Sequence, residues 1–167
     1  MLLLDIDGVI SLFGFDPNVR PEGSWHLIDG IAHFLSSAAC THLQRLGEWF
    51  DPVWCSGWEE KADEHLPSLL GVPSFPHLSF DQNPGRSNGH WKLAAIDAHA
   101  GERPVAWVDD ALDERCEQWA ATRPAPTLLM RTDPAVGLTD DGVEELVRWA
   151  RALSQLAEGE EGPTGRG

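Results

Sequence analysis

The chain has 167 residues, within the one-domain range and long enough to bury a core, and 27 acidic side chains against 12 lysines and arginines give a formal net charge of −15. That charge opposes long-range attraction to nucleic acid or an anionic membrane, so neither is expected as a partner. The longest apolar runs are strand-sized, well short of the roughly 20 residues of a membrane span, and no signal peptide precedes the first strand; three scattered cysteines (Cys40, Cys55, Cys116) without paired zinc spacing suit reduced thiols in a cytoplasmic protein.

Taken in chain order, the first element is the most informative. Leu-Leu-Leu-Asp-Ile-Asp-Gly-Val-Ile over residues 2–10 predicts a strand over 1–6 that ends in two carboxylates, Asp5 and Asp7. Residues two apart in a strand point the same way, so the two anions face one space and repel unless a cation sits between them. A hard ion such as Mg2+ would relieve that repulsion, and a neutralised carboxylate can attack phosphorus. Asp-Gly is also a common turn dipeptide, and a strand ending in a polar turn would read the same way.

From Gly8 to about Ser24 the chain is too irregular for one helix or strand. Ile31, Phe34, Leu35, Ala38, Ala39, His42, Leu43 and Leu46 recur at helical spacing and predict a helix over 29–47. A strand over 52–55 follows, ending at Ser56 and Gly57. Glu59 to Leu70 reads as a helix whose last turn Pro67 should cut or kink. Residues 75–80 form a weak strand, and Trp91 to Ala100 a helix with Lys92 in its first turn and Gly101 at its end. The strand over 104–108 again runs into carboxylates, Asp109 and Asp110. Leu112 to Ala121 is helical, Thr127 to Arg131 a strand and Asp140 to Leu156 a long helix, while 157–167 is an acidic, Gly-rich tail without apolar anchors, expected to be disordered. Strands alternating with helices predict a three-layer α/β fold around a central parallel sheet, whose strand ends meet at one edge where ligands bind.

Each chemical residue has an ordinary alternative. Ser56 before Gly57 suits a turn, Lys92 suits a solvated helix face, and Asp109 and Asp110 could cap the helix near Leu112. Asp113 reads as a first-turn helix residue, with a minor metal role as its alternative. Trp54 and Trp107 lie within strands and should be core. Trp25, Trp58 and Trp91 fall in or beside the acidic segments and could wall a ligand site; Arg20 and Arg86 could reach the nonreacting part of a substrate, but read first as surface arginines. Cys55 reads as a small buried strand residue, and the histidines lack the i, i+4 pairing of a helical metal site.

In order and context, Asp5-x-Asp7-Gly-Val, Ser56, Lys92 and Asp109-Asp110 resemble the four motifs of the haloacid dehalogenase-like (HAD) superfamily, over about residues 1–155. The receiver domain of response regulators uses similar groups, but there the lysine follows the acidic residues, whereas Lys92 precedes Asp109. The resemblance implies a Rossmann-like sheet of order 5-4-1-2-3 with the Asp5 strand at its centre, and a squiggle and flap over 8–24. It makes Asp5 the nucleophile and a metal ligand. Asp7 would offer its backbone carbonyl to the metal and its side chain as general acid and base, a residue that favours a phosphatase or phosphomutase within the superfamily. Ser56 would donate to a phosphoryl oxygen, Lys92 would pair with nucleophile and phosphate, and Asp109 and Asp110 would complete the Mg2+ site. Gly57, Trp58, Arg20 and Arg86 are the candidate substrate contacts. Neither the stretch from Asp5 to Ser56 nor that from Ser56 to Lys92 has room for an inserted cap domain, so the site should be open unless the flap or a second subunit of a homo-oligomer covers it. The expected activity is Mg2+-dependent hydrolysis of a phosphomonoester through an aspartyl-phosphate. The alternative is a HAD-fold binding or regulatory protein that holds Mg2+ and phosphate without efficient turnover.

Overall fold

The computed structural model describes residues 1–81 and 88–160. Its centre is β1 (Leu2–Leu4), whose three leucines are all buried. A strand apolar at every position belongs inside a parallel sheet covered on both faces. β1 pairs in parallel with β5 (Pro52–Trp54) on one side and β6 (Val105–Asp109) on the other, and β6 pairs in parallel with β7 (Thr127–Arg131), so the order is β5-β1-β6-β7.

Strand alternation sends Leu2 and Leu4 to one face and Leu3 to the other. The first face joins Ala106 and Val108 in a cluster with Leu43 and Leu46 of α1 (Ala39–Gly47), Leu66 of α2 (Glu60–Leu70), and Val143, Leu146 and Val147 of α5 (Asp140–Glu160). The second collects Leu3, Val53, Val105 and Trp107 with Ile96 of α3 (Leu93–Ala100) and Cys116 of α4 (Glu114–Thr122). The result is a mixed α/β domain with a central parallel sheet flanked by helices, compatible with a Rossmann-like fold. Among the described residues, no helix is long and apolar enough to cross a membrane.

The five-strand order 5-4-1-2-3 is not matched. Residues 75–80 run beside β5, with Trp54 N donating to Pro76 O at 2.8 Å and Leu78 N to Trp54 O at 2.9 Å, but they contribute a single bridge, Trp54 to His77. Pro73 and Pro76 have no N–H to continue a ladder, so among the described residues the sheet stops at four strands.

A larger departure lies at 23–36. The helix expected over 29–47 is confined to α1, and Gly23–Ile28 (β3) and Ile31–Ser36 (β4) form an antiparallel hairpin with Trp25 opposite Phe34 and Ile28 opposite Ile31. Its two-residue turn is Asp29-Gly30 with φ of +50° and +80°, the double positive φ of a type I′ turn, whose twist matches that of the strands. β2 (Ser11–Leu12) pairs with the other edge of β4 and makes a second, three-stranded sheet. The stretch read as irregular over 8–24 thus contains β2 and the start of β3.

Smaller differences follow the same logic. α2 is not cut at Pro67: it continues to Leu70 and ends at Gly71, φ +67°, because Ala62, Leu66 and Leu70 keep one face buried. A single 3-10 turn over His90–Lys92 precedes α3. α4 begins at Glu114, and its cap is Asp113, whose carboxylate accepts from the N–H groups of Arg115 and Cys116. α5 runs to Glu160 where a disordered tail was expected from 157, and 161–167 lies outside the described residues.

Candidate active site

Asp5 sits where β1 leaves the sheet. Its N–H donates to Val108 O at 3.0 Å, while Cys55 N donates to Leu4 O at 2.7 Å, so both neighbouring strands fix the backbone at this edge. One carboxylate oxygen accepts from Ile6 N at 2.8 Å. The other lies 2.9 Å from Lys92 Nζ, and the same ammonium donates to Asp109 Oδ2 at 2.6 Å. Asp109, fully buried at the end of β6, also accepts from Ala111 N at 2.9 Å. The 3-10 turn thus delivers Lys92 into the sheet edge between two strand-end carboxylates.

Burial dominates the proton affinity of Asp5 and, with Asp109 adding to it, outweighs Lys92, pushing the carboxyl from 3.8 up to about 7. Burial opposes the charge on Lys92, but Asp5 and Asp109 together hold it above its ordinary value, so the ammonium stays charged. Burial and then Asp109 raise Asp110. Cys55 is fully buried and its thiol is pushed far upward by that burial, which leaves it inert.

Asp5, Asp109 and Asp110 each present an oxygen, all within 4.8 Å of one another. Three hard oxygen donors outnumbering one ammonium suit a hard divalent cation. Gly8 makes room for this arrangement. It adopts φ +75°, and a Cβ there would lie 2.5 Å from Asp110 Cγ, so no other residue fits without displacing Asp110. The loop is pinned from the far side by Thr132, whose hydroxyl donates to Gly8 O at 2.8 Å.

Asp7 has a different environment. Its half-exposed carboxylate lies outside the acidic cluster: Oδ2 accepts from Trp58 Nε1 at 2.9 Å, and Oδ1 lies 3.6 Å from His33 Nδ1. His33 in turn lies 3.1 Å from the Ser11 hydroxyl and packs edge-on against Trp58, with ring centroids 4.6 Å apart. One aspartate is therefore buried among charges and the other held at the lip by an indole and an imidazole.

These groups open into one cleft of about 590 Å3. Asp5, Asp7, Ser56, Gly57, Trp58, Trp91, Lys92 and Asp110 all line it. Arg20 and Trp25 do not. Arg20 is exposed in the loop before β3, and Trp25 packs on Phe15 and Phe34 on the hairpin. The expected contact at Arg86 lies outside the described residues. Residues that the sequence did not single out take their place: Ile28, Asp29, Ile31 and His33 of the hairpin, Phe13 and Lys61. The Asp-Gly turn was the available signal, because a hairpin there carries its flanking side chains to the mouth of the site.

No protein-family model matches the chain, and no curated protein matches it.

Proposed function

We propose that the protein is a phosphohydrolase of the HAD type, without a cap domain, that cleaves a phosphomonoester through an aspartyl-phosphate on Asp5. The observation that carries this reading is the pairing of Asp5 with Lys92 at 2.9 Å, beside Asp109 and Asp110, in the cleft that also holds the separately bonded Asp7. A structural ion pair at a sheet edge would not need a second carboxylate at the cleft lip or a glycine that clears space for Asp110.

Asp5, Asp109 and Asp110, with the Asp7 carbonyl, would hold Mg2+, which when bound supplies charge neutralisation for the nucleophile and the phosphoryl oxygens. Lys92 keeps Asp5 oriented and offsets the negative charge brought by the ester. Ser56, buried in the turn after β5, donates its hydroxyl to a phosphoryl oxygen. The Asp5 carboxylate attacks phosphorus as the ester P–O bond breaks, and the protonated Asp7 carboxyl gives its proton to the departing alkoxide. The Asp7 carboxylate then takes a proton from water as that water attacks phosphorus. The P–O bond to Asp5 breaks, releasing inorganic phosphate and restoring both aspartates. Trp58 holds Asp7 on the solvent side of the cleft, where leaving group and water arrive.

The test is hydrolysis of p-nitrophenyl phosphate and a panel of phosphomonoesters by the full chain, with Mg2+ and with EDTA. Mg2+-dependent turnover that EDTA removes is expected. Turnover unaffected by EDTA in metal-free protein overturns the metal assignment, and binding of Mg2+ and phosphate without turnover points to the holding protein instead.

A further inference from the structure

The cleft is much larger than a phosphoryl group, and its outer part differs in chemistry from the Asp5 end. The hairpin contributes Ile28 and Ile31, the loop after β2 contributes Phe13, and Trp58 and Trp91 come from the turns after β5 and before α3. The His33–Trp58 contact joins the hairpin to the Ser56 loop as one wall. Ile31 is 62% exposed and Phe13 48%. Large apolar side chains open to water at a cleft mouth gain when an apolar ligand covers them.

The charges agree. Of the two ammonium groups in the described lining, Lys92 is held by Asp5 and Asp109, and Lys61 is held at the hairpin tip by Asp29 at 2.5 Å. Lys61 and Asp29 offset each other, so a second anionic group on the ligand would find no free ammonium in the described lining and would meet the Asp7 carboxylate.

We propose that the substrate is a phosphomonoester of an uncharged, apolar alcohol, seated against the β3–β4 hairpin and the two tryptophans, rather than a bisphosphate, a nucleotide or a polyhydroxylated sugar phosphate. This rests on the reading of the cleft as a phosphoryl-transfer site.

The experiment compares ethyl phosphate with 2-phenylethyl phosphate, both esters of primary alcohols with similar leaving groups, alongside a hexose bisphosphate and a nucleoside 5′-monophosphate. Calorimetric titration of propylphosphonate and 3-phenylpropylphosphonate, which cannot be hydrolysed, accompanies it. Covering a phenyl ring should raise kcat/KM about tenfold or more over ethyl phosphate, with the phosphonate affinities moving in parallel. Ile31→Ser or Phe13→Ser, each at a largely exposed position, should shrink that ratio several-fold. A phenyl preference below twofold, or a preference for the bisphosphate or the nucleotide, overturns the proposal. If no ester turns over, the phosphohydrolase reading fails, and the phosphonate affinities decide the apolar preference by the same ratio.

Discussion

Replacing Lys92 with methionine keeps an unbranched side chain one atom shorter and removes the ammonium that lies between two buried carboxylates. Lys92 is 3% exposed, with Asp5 at 2.9 Å and Asp109 at 2.6 Å. Breaking a buried ion pair from one side costs about 3–5 kcal/mol, because the remaining charge loses its compensation. The cost should depend on pH in a definite direction. Asp5 already has its carboxyl raised from 3.8 to about 7. A carboxyl raised in the folded state contributes stability below its unfolded value and loses it as pH climbs through the folded value. Without Lys92 the folded value rises further, so the loss continues above pH 7 at up to about 1.4 kcal/mol per pH unit. Urea unfolding of wild type and Lys92→Met in EDTA, followed by tryptophan fluorescence at pH 5 and pH 8, measures the difference between the two proteins. We expect a destabilisation of about 3–5 kcal/mol at pH 8 and at least about 1 kcal/mol less at pH 5. Equal penalties at the two pH values, or a larger one at pH 5, would refute the account of the Asp5–Lys92–Asp109 cluster.

Other outcomes follow from neighbouring residues. Gly8→Ala should cost about 1–2 kcal/mol for its φ of +75°, and by displacing Asp110 should weaken Mg2+ binding at least about tenfold in calorimetry. Unchanged affinity would show that Asp110 has no part in the metal site. Trp58→Phe removes the N–H that Asp7 accepts while keeping an aromatic ring. Turnover of an alkyl phosphate should fall about tenfold or more, with the first release of p-nitrophenol from p-nitrophenyl phosphate largely kept, since that leaving group needs little protonation. Equal losses with both substrates would mean that Trp58 acts on something other than Asp7.

How much of this was legible in the sequence depended on how local each signal is. The strands carrying Asp5 and Asp109 follow from short apolar runs, because a strand buried on both faces has little freedom in composition, and the edge strand over Thr127–Arg131 follows from its Leu-Leu-Met run. The spacing of acidic pair, Ser56, Lys92 and second acidic pair pointed to residues of which the structure places Asp5, Asp7, Ser56, Lys92 and Asp110 in one cleft, with Asp109 fully buried against Lys92. Two misreadings came from competing local signals. Ile31 to Leu46 fits a helical period, yet Asp29-Gly30 turns the chain so tightly that Ile31 to Ser36 pairs back onto β3. Residues 75–80 have strand-like side chains, but Pro76 removes a donor that a ladder requires. The hairpin error hid the most about function. With 29–47 read as one helix, His33 had no reason to approach Asp7 and Ile31 none to join Ile28 at the cleft, so its apolar mouth could not be seen. The indole hydrogen bond from Trp58 to Asp7 joins residues far apart in sequence, and no spacing rule announces such a contact.

The central claim is that Asp5 carries the phosphoryl group. The most direct measurement is rapid-quench reaction of Asp7→Ala with p-nitrophenyl phosphate and Mg2+, followed by mass mapping of the quenched chain. Without its base for the second step, this variant should release a burst of p-nitrophenol close to one per protein, turn over slowly afterwards, and carry phosphate on Asp5. Asp5→Asn should show neither burst nor label. Phosphate found on Ser56, Cys55 or a histidine, or turnover retained by Asp5→Asn, would contradict the account.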